Sequence, residues 1–539
     1  MPSNPPAGLN GNFWNRLLAG LECPEAYPHP TTTIECLENH ISWVFLTGQH
    51  VYKLKKPVDL GFIDFSTPDL RLHYCREELR LNRRWSPHLY LDVVAVVGDV
   101  DRPRVVPQAD PGGRSPLLAH AVHMKQFARD ALWSQRAATG RLRAEQVDRL
   151  AELVGAFHQG APRSPLEEPW GNGDQRRRWI GGTVDRLVEV LADGAPAPQA
   201  RQLRDGLNTA LASHAPRLEA RRRAGWVREG HGDLHLNNIA LVEGQVSPFD
   251  CIEFEPALRW MDVMGEVAFP IMDLLSYHQR PWAFRLLDRY LSITGDYGGL
   301  AVLPLFIGYR AAVRALATGL ALAQHPERPA DPEQHRRLER YLQQAQDALA
   351  WPTRPWLLLT CGLSGSGKTT VAGQLLEQLG AVRIRSDVER KRIHGLTPGQ
   401  RGGDELYTPE ADGKTYARLL QAVGEALEAG FAVIADAAFG SKAQRQPFLD
   451  LAAARGIPGA VLHCTASEDL RRGRVTGRRA WTNDASDAHL DMLNAQAQAF
   501  EAPREDEGAP VIPVDTGQTV DISSLTATVE RTLMGRVSQ

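Results

Sequence analysis

In the stretch REGHGDLHLNNIAL, from Arg228 to Leu241, an aspartate is followed five residues later by an asparagine, and a further aspartate closes the next strand-like run at Phe249-Asp250-Cys251. That spacing suits phosphoryl transfer: the Asp233 carboxylate can accept the proton of an attacking hydroxyl, while Asn238 and Asp250 can hold the Mg2+ ions that bridge nucleotide phosphates. The same chemistry needs a strand lysine on the phosphates and a helix glutamate to hold that lysine. Lys53 and Lys55 share one face of a strand, so either could serve; Glu78 in REELRLN is the expected partner, with Glu77 as the alternative. The segment VHMKQF, Val122 to Phe127, is where an adenine-binding hinge would lie. Each piece has a plainer reading. Paired lysines and helical glutamates are commonly solvated, and an HGD triplet can be no more than a turn. Their occurrence in the right order is what favours a site.

A second set lies downstream. GLSGSGKTT, Gly362 to Thr370, fits G-x-x-x-x-G-K-[ST] between an apolar strand and a helix, the context in which backbone N–H groups and a helix N-terminus cradle phosphates. Gly362, Ser364, Gly365, Ser366 and Gly367 form the loop, Lys368 reaches the β and γ phosphates, Thr369 ligates Mg2+, and Thr370 continues into the helix. In RSDVERKRIHG, Ser386 and Glu389 have capping-box spacing, which leaves Asp387 and Arg390 on the first turn facing the strand ends. Asp387 is then a candidate to activate an acceptor hydroxyl, with Arg390 steadying negative charge. Asp436, ending VIAD, suits a Walker B role toward Mg2+, and a strand-end turn residue is the plain alternative. Arg471, Arg472, Arg474, Arg478 and Arg479 form a basic run that is either solvated surface or a lid over ATP, with Arg474 or Arg478 stabilising transferred charge.

The elements that must position these residues follow from local pattern. ISWVFLTGQHVYKLKK reads as two strands joined at TGQH, with Val51, Lys53 and Lys55 on one face and Tyr52 and Leu54 on the other. RLHYCREELRLNRRW has helical spacing and LYLDVVAVVG reads as a strand. From about Ala131 to Ala224 the pattern is mainly helical, and it is helical again up to Ala350. A small strand-rich lobe (about 30–128) followed by a helical lobe (about 129–350) is a bilobal order. The break WPTRPW places a domain division near residue 353, giving 1–353 and 354–539. After it, WLLLTCGL, AVRIRSD, FAVIADAAF and GAVLHCTA are short, apolar strands alternating with helices, as in a buried parallel sheet. The expected class is thus α+β and α/β in two domains.

At 539 residues the chain is long enough for two or three cores. A hydrophobic share of 43% and a formal charge of −3 exclude neither catalysis nor small-molecule binding but give no global attraction to nucleic acid or anionic lipid. Six cysteines without CxxC spacing suggest neither zinc nor disulfides, and read as reduced cytoplasmic thiols. The N-terminus has no signal-peptide pattern, and GGLAVLPLFIGY, interrupted by Pro304 and Arg310, reads as too short to span a bilayer. No membrane association is expected.

Protein kinases use H-R-D-x-x-x-x-N and a later D-F-G where this chain has H-G-D-x-x-x-x-N and Phe249-Asp250-Cys251. The first set resembles the aminoglycoside phosphotransferase and choline kinase group. That resemblance implies Asp233 as base and Asn238 and Asp250 as metal ligands. RSDVER looks like the corresponding segment of P-loop small-molecule and polynucleotide kinases, a group that also resembles zeta-type toxins and chloramphenicol phosphotransferase. There it implies that Asp387 contacts the acceptor hydroxyl, with Arg390 and, less directly, Arg474 beside it. Over about residues 30–505 the chain resembles bacterial two-domain proteins that join an aminoglycoside phosphotransferase-like domain to a P-loop, AAA-family ATP-binding domain. The leading expectation is ATP- and Mg2+-dependent transfer to small hydroxylated molecules at two sites. Competing with it are a nucleotide-sensing role in which one domain controls the other, and a polynucleotide 5'-hydroxyl kinase in the second half. The near-neutral charge and the lack of an interleaved aromatic stripe argue against the last.

Overall fold

The computed structural model describes residues 11–61, 63–107, 115–192, 194–323, 332–351, 354–478 and 496–535. The chain divides into two compact units, one of Met1–Leu142, Ala161–Gln175 and Arg221–Glu266, the other of Arg143–Gly160, Arg176–Ala220 and Val267–Gln539. The helical segments that precede residue 353 therefore group largely with the P-loop half, so the compact units do not coincide with a cut at that residue.

In the first unit a six-stranded antiparallel sheet runs in the order β1-β2-β3-β6-β4-β5, from β1 (Glu35–Glu38), β2 (Ser42–Leu46), β3 (His50–Lys55), β4 (Tyr90–Asp99), β5 (Arg102–Pro107) and β6 (Leu117–Lys125). Strand alternation sorts its two faces. Tyr52 and Leu54 pack with Trp43, Phe45, Val94 and Val96 against Trp14 and Leu17 of the helix Gly11–Leu21. Val93, Val122 and Tyr90 face the other way, with Cys75 of the helix Pro68–Arg83. Lys53 and Lys55 lie on that second side, where Glu78 meets them. Thr67 caps the helix by accepting from Leu70 N–H, and Pro68 fills its first position. Two small antiparallel pairs complete the unit: β7 (Val227–Glu229) with β10 (Trp260–Asp262), and β8 (Ile239–Val242) with β9 (Gln245–Pro248). A small antiparallel lobe followed by these strand pairs and by helices is a protein-kinase-like arrangement.

In the second unit a fully parallel five-stranded sheet has the order β12-β13-β11-β14-β15, built from β11 (Leu357–Cys361), β12 (Val382–Arg385), β13 (Val433–Asp436), β14 (Gly459–Thr465) and β15 (Val511–Asp515). Every residue of β11 and β13 is buried, as expected for a sheet covered on both faces. This is a P-loop kinase fold. Four of its strands match the sequence reading; β15 is an addition. The apolar stretch at Pro304 is also longer than its sequence suggests. It belongs to the helix Leu303–Ala323, within a span long and apolar enough to cross a membrane by length and composition. Leu303, Phe306, Ala311 and Ala315 of this helix are nevertheless buried inside the unit, and the Arg310 guanidinium stacks on Phe269. The expected length is therefore corrected, and the helix is a core helix.

Candidate functional sites

The first site is assembled around Lys53. Its ammonium lies 2.8 Å from Glu78 Oε1 and 2.5 Å from Asp250 Oδ1, joining strand, helix and the second residue after β9. Lys55, two residues on, donates to Glu78 Oε2 at 2.8 Å and to Glu253, and is 1% exposed. The two lysines that strand period alone left equivalent are thus distinct: Lys53 touches Asp250, and Lys55 is walled in between two glutamates. Burial would raise the Glu78 carboxyl, but the two ammonium groups overcome it and hold it below its ordinary range. Burial wins at Glu253, whose carboxyl is raised. Glu77 is not the lysine partner; it pairs with Arg80 and Arg259.

The HGD loop is held from both ends. Glu266 Oε1 accepts from the amides of His231 (2.5 Å) and Gly232 (2.9 Å). A Cβ on Gly230 would stand 2.4 Å from the same oxygen, so a larger residue there would have to push the glutamate off these amides. The buried His231 ring joins Phe249 O at 2.9 Å, fastening the loop to the strand that delivers Asp250. Asn238 Nδ2 donates to Asp233 Oδ2 at 3.1 Å and to Asp233 O at 3.0 Å, bringing the candidate base and one metal candidate together. Asp250 sits at φ 63°, an αL conformation that costs a non-glycine residue energy, and its amide donates to Tyr90 Oη at 3.0 Å. Asp262 does not join this group; it pairs with Arg221 at 2.8 Å and accepts from Met264 N–H at the start of a helix.

The second site is a cavity of about 440 Å³ at the carboxyl ends of β11, β12 and β13. Its lining includes Gly362, Ser364, Gly365, Gly367, Lys368 and Thr369 from the loop, Asp387 and Arg390 from the helix Ser386–Ile393, and Asp436. Three loop glycines have positive φ, 144° at Gly362 and 81° at Gly365 and Gly367, which directs the turn inward. Lys368 Nζ donates to Gly362 O (2.8 Å) and Leu363 O (3.0 Å), and burial lowers its pKa. Asp387 is raised, chiefly by burial and against the pull of Arg385 and Arg390. Arg390 donates to Asp412 Oδ1 at 2.7 Å and stacks on Tyr407.

Among the described residues, Ser366 Oγ, in the loop but outside the cavity lining, has no hydrogen-bond partner, and Asp436, whose Oδ1 accepts from Thr360 Oγ1 at 3.2 Å, keeps its buried Oδ2 without a hydrogen bond, 3.7 Å from Arg385 Nε. A carboxylate oxygen without a hydrogen bond beside a phosphate loop fits a nucleotide with its metal ion, because buried polar atoms are otherwise hydrogen-bonded. Thr370 is exposed and stands outside the lining.

Several placements differ from the sequence reading. The capping box does not form: the helix begins at Ser386 after Arg385, with no side-chain cap, and Glu389 is engaged elsewhere. Arg474 is not part of the cavity lining; it donates to Gly365 O (3.2 Å) and to Thr516 Oγ1 (2.9 Å) and O (2.7 Å), bracing the loop. Arg472 pairs with Glu468 on the surface. The Arg478 side chain and Arg479 lie outside the described residues. Sequence reasoning missed Glu253 and Glu266 of the first site and Tyr407, Asp412 and Tyr416, which line the second cavity; none carries a local motif.

The fold and these two sites define a two-domain protein that joins a protein-kinase-like domain to a P-loop domain. Residues 357–503 match the family model described as AAA domain. An uncharacterized protein of Mycobacterium tuberculosis and one of Mycobacterium bovis are each 29% identical over 496 residues, spanning 87% of this chain and 92% of the relative. Among solved structures, a choline/ethanolamine kinase family protein from Mesorhizobium loti is 13% identical, with a TM-score of 0.37, covering 60% of this chain and 90% of its own. A gluconokinase from Sinorhizobium meliloti is 21% identical, with a TM-score of 0.24, covering 34% of this chain and 95% of its own.

Proposed function

We propose that the chain is a cytoplasmic, ATP- and Mg2+-dependent phosphotransferase with two nucleotide sites, each delivering the γ-phosphoryl group to a hydroxyl of a small molecule. The observation that carries this reading is that each half brings a lysine, a set of hard oxygen donors and a carboxylate to one place. In the first half these are Lys53, Asn238 with Asp250, and Asp233; in the second, Lys368, Thr369 with Asp436, and Asp387.

The residues divide the work as phosphoryl transfer requires, by positioning and charge rather than covalent chemistry. Lys53, fixed by Glu78, meets the phosphates of the first nucleotide. Asp233, held by Asn238, takes the proton of the attacking hydroxyl. In the second half the loop amides and Lys368 hold the phosphates, Asp387 accepts the hydroxyl proton, and Arg390, steadied by Asp412, balances charge near the acceptor. Mg2+ would be held by Asn238 and Asp250 in one site and by Thr369 and Asp436 in the other, where it neutralises charge on the transferring group. Arg474 serves this chemistry by keeping the Gly365 turn in place.

The test is transfer of label from γ-labelled ATP into a metabolite extract by the wild type, Asp233→Asn and Lys368→Ala. Two products lost separately in the two variants support two independent kinases. No labelled product, with ATP still bound, refutes the reading and favours a nucleotide sensor.

A further inference from the structure

The helix Ser386–Ile393 has two working faces. Asp387 and Arg390 line the cavity, while Glu389 and Arg392, three apart on the other side, meet the segment Arg280–Ala301 that precedes the P-loop half in sequence. Glu389 is fully buried, and its carboxylate accepts from Tyr297 Oη, Arg392 Nε and Arg418 Nε, each at 3.2 Å. Arg392 in turn donates to Ile293 O (2.9 Å), which also accepts from Gln159 Nε2, and to Ser292 O (2.6 Å), carbonyls in the last turn of the helix Arg280–Thr294. A cation at that end also meets the negative pole of the helix. Gly295, at φ 70°, leaves room for it; a Cβ there would lie 2.8 Å from the guanidinium.

The same helix reaches the phosphate loop. Asp288, 4% exposed, pairs at 3.0 Å with Arg383 of β12, and Arg383 donates at 3.0 Å to Thr369 O in the first turn after the loop. Arg285 pairs with Glu377 of the P-loop helix Lys368–Leu379 at 2.6 Å. Phe284 is part of the P-loop domain's own apolar core, beside Val371, Leu375 and Leu379. A surface helix resting on a finished domain would not supply a core residue.

We propose that the segment Arg280–Ala301 is a positioning element of the second site: Tyr297, through Glu389, sets the helix that carries Asp387, and Asp288, through Arg383, sets the turn that carries Thr369. This rests on the phosphotransferase reading of that site. The consequence is that the second transfer site is completed by residues encoded before residue 353, so the P-loop half does not hold its acceptor helix in place alone.

The two contacts predict different kinetic signatures. They are measured as Mg2+-dependent ATP hydrolysis, with water as acceptor, in the full-length chain carrying Lys53→Met, which weakens both nucleotide binding and turnover at the first site. Tyr297→Phe removes one oxygen and leaves the packing intact. It should lower kcat about tenfold at unchanged KM for MgATP, less than the ~100-fold that an ångström of misplacement brings. Asp288→Asn should raise the KM for MgATP, and weaken direct binding of a fluorescent ATP analogue, by about tenfold with a smaller effect on kcat. Binding needs no acceptor and stands as a second readout if hydrolysis is slow. Changes below twofold in both variants overturn the inference. So does a parallel loss of kcat and binding in both with a falling Tm, which marks general destabilisation. Hydrolysis and binding that survive Lys368→Ala overturn the reading of the site, and this inference with it.

Discussion

Lys53 and Lys55 stand two residues apart, share Glu78 and are both buried, yet replacing each with methionine should do opposite things. The Lys55 ammonium pairs with Glu78 and Glu253, both nearly inaccessible to water, and lies over the Phe65 ring. Lys55→Met leaves those two carboxylates and Asp250 facing Lys53 alone. Breaking a buried pair by removing one partner costs about 3–5 kcal/mol, because the remaining charge stays desolvated. At roughly 2–4 °C per kcal/mol for a unit of this size, Tm should fall by roughly 6–20 °C. The loss has a definite pH dependence. The Glu253 carboxyl is already raised in the folded protein by burial, and loss of Lys55 removes the cation that opposes that rise. A raised carboxyl holds its proton more tightly folded than unfolded. Its penalty is therefore absent below the ordinary carboxyl range, grows as pH rises from there to the folded value, and is complete above it. Lys55→Met should thus be closest to wild type in mild acid and furthest from it at neutral pH.

Lys53→Met should be gentler on stability, since Glu78 keeps Lys55 and Asp250, 45% exposed, can be hydrated. It should instead weaken ATP binding and turnover at the first site. Thermal melts across pH, with ATP binding and hydrolysis in a Lys368→Ala background, separate the two variants. A stable Lys55→Met that has lost nucleotide binding, beside an unstable Lys53→Met that retains it, would falsify the assignment.

Asp233→Asn should lower first-site turnover by about 10²–10⁴-fold, the range for loss of a general base, with ATP binding retained; titration calorimetry beside a coupled ADP assay checks both. Asp387 must be ionised to act as a base and its pKa is raised by burial, so second-site kcat should climb with pH through a value above the ordinary aspartate range, a limb that Asp387→Asn removes. The same burial makes ionised Asp387 a cost to folding: Asp387→Asn should raise Tm at neutral pH, with the gain vanishing below the ordinary aspartate pKa. Gly362→Ala forces a Cβ to 2.3 Å from Cys464 O at φ 144°; a backbone strain of about 1–3 kcal/mol should appear as a lower Tm and lost ATP binding at the second site.

Much of both sites was legible because the chemistry lies in short stretches whose spacing is itself the signal. HGDLHLNN placed Asp233 beside Asn238, and GLSGSGKT folded where a strand-to-helix turn was expected. The lysine ambiguity had a physical origin. Period-two alternation assigns a face but not a neighbour, and Glu253, which separates Lys55 from Lys53, lies 198 residues further along the chain. β15 was missed because Pro513 interrupts an otherwise apolar run. Proline is tolerated there because β15 is the edge of the sheet, with β14 on one side only.

The misreading of Glu389 shows how local and distant partners compete for one side chain. Ser386 and Glu389 have the spacing of a capping box, and a capping box satisfies orphan amides at a helix start. A glutamate that turned back to cap its own helix would leave Tyr297, Arg392 and Arg418 without a common acceptor, and would abandon a buried anion position served by two guanidinium groups. Hydrogen bonds to a charged group contribute more than neutral ones, about 1.5–3 kcal/mol against about 1. Three donors on one buried carboxylate outweigh a single exposed cap. The sequence motif was sound as local chemistry and lost to tertiary chemistry. Because the winning contacts come from Tyr297 and the end of the helix before it, the residue that looked like punctuation at a helix start ties the helix that carries Asp387 to a segment that precedes β11 in sequence.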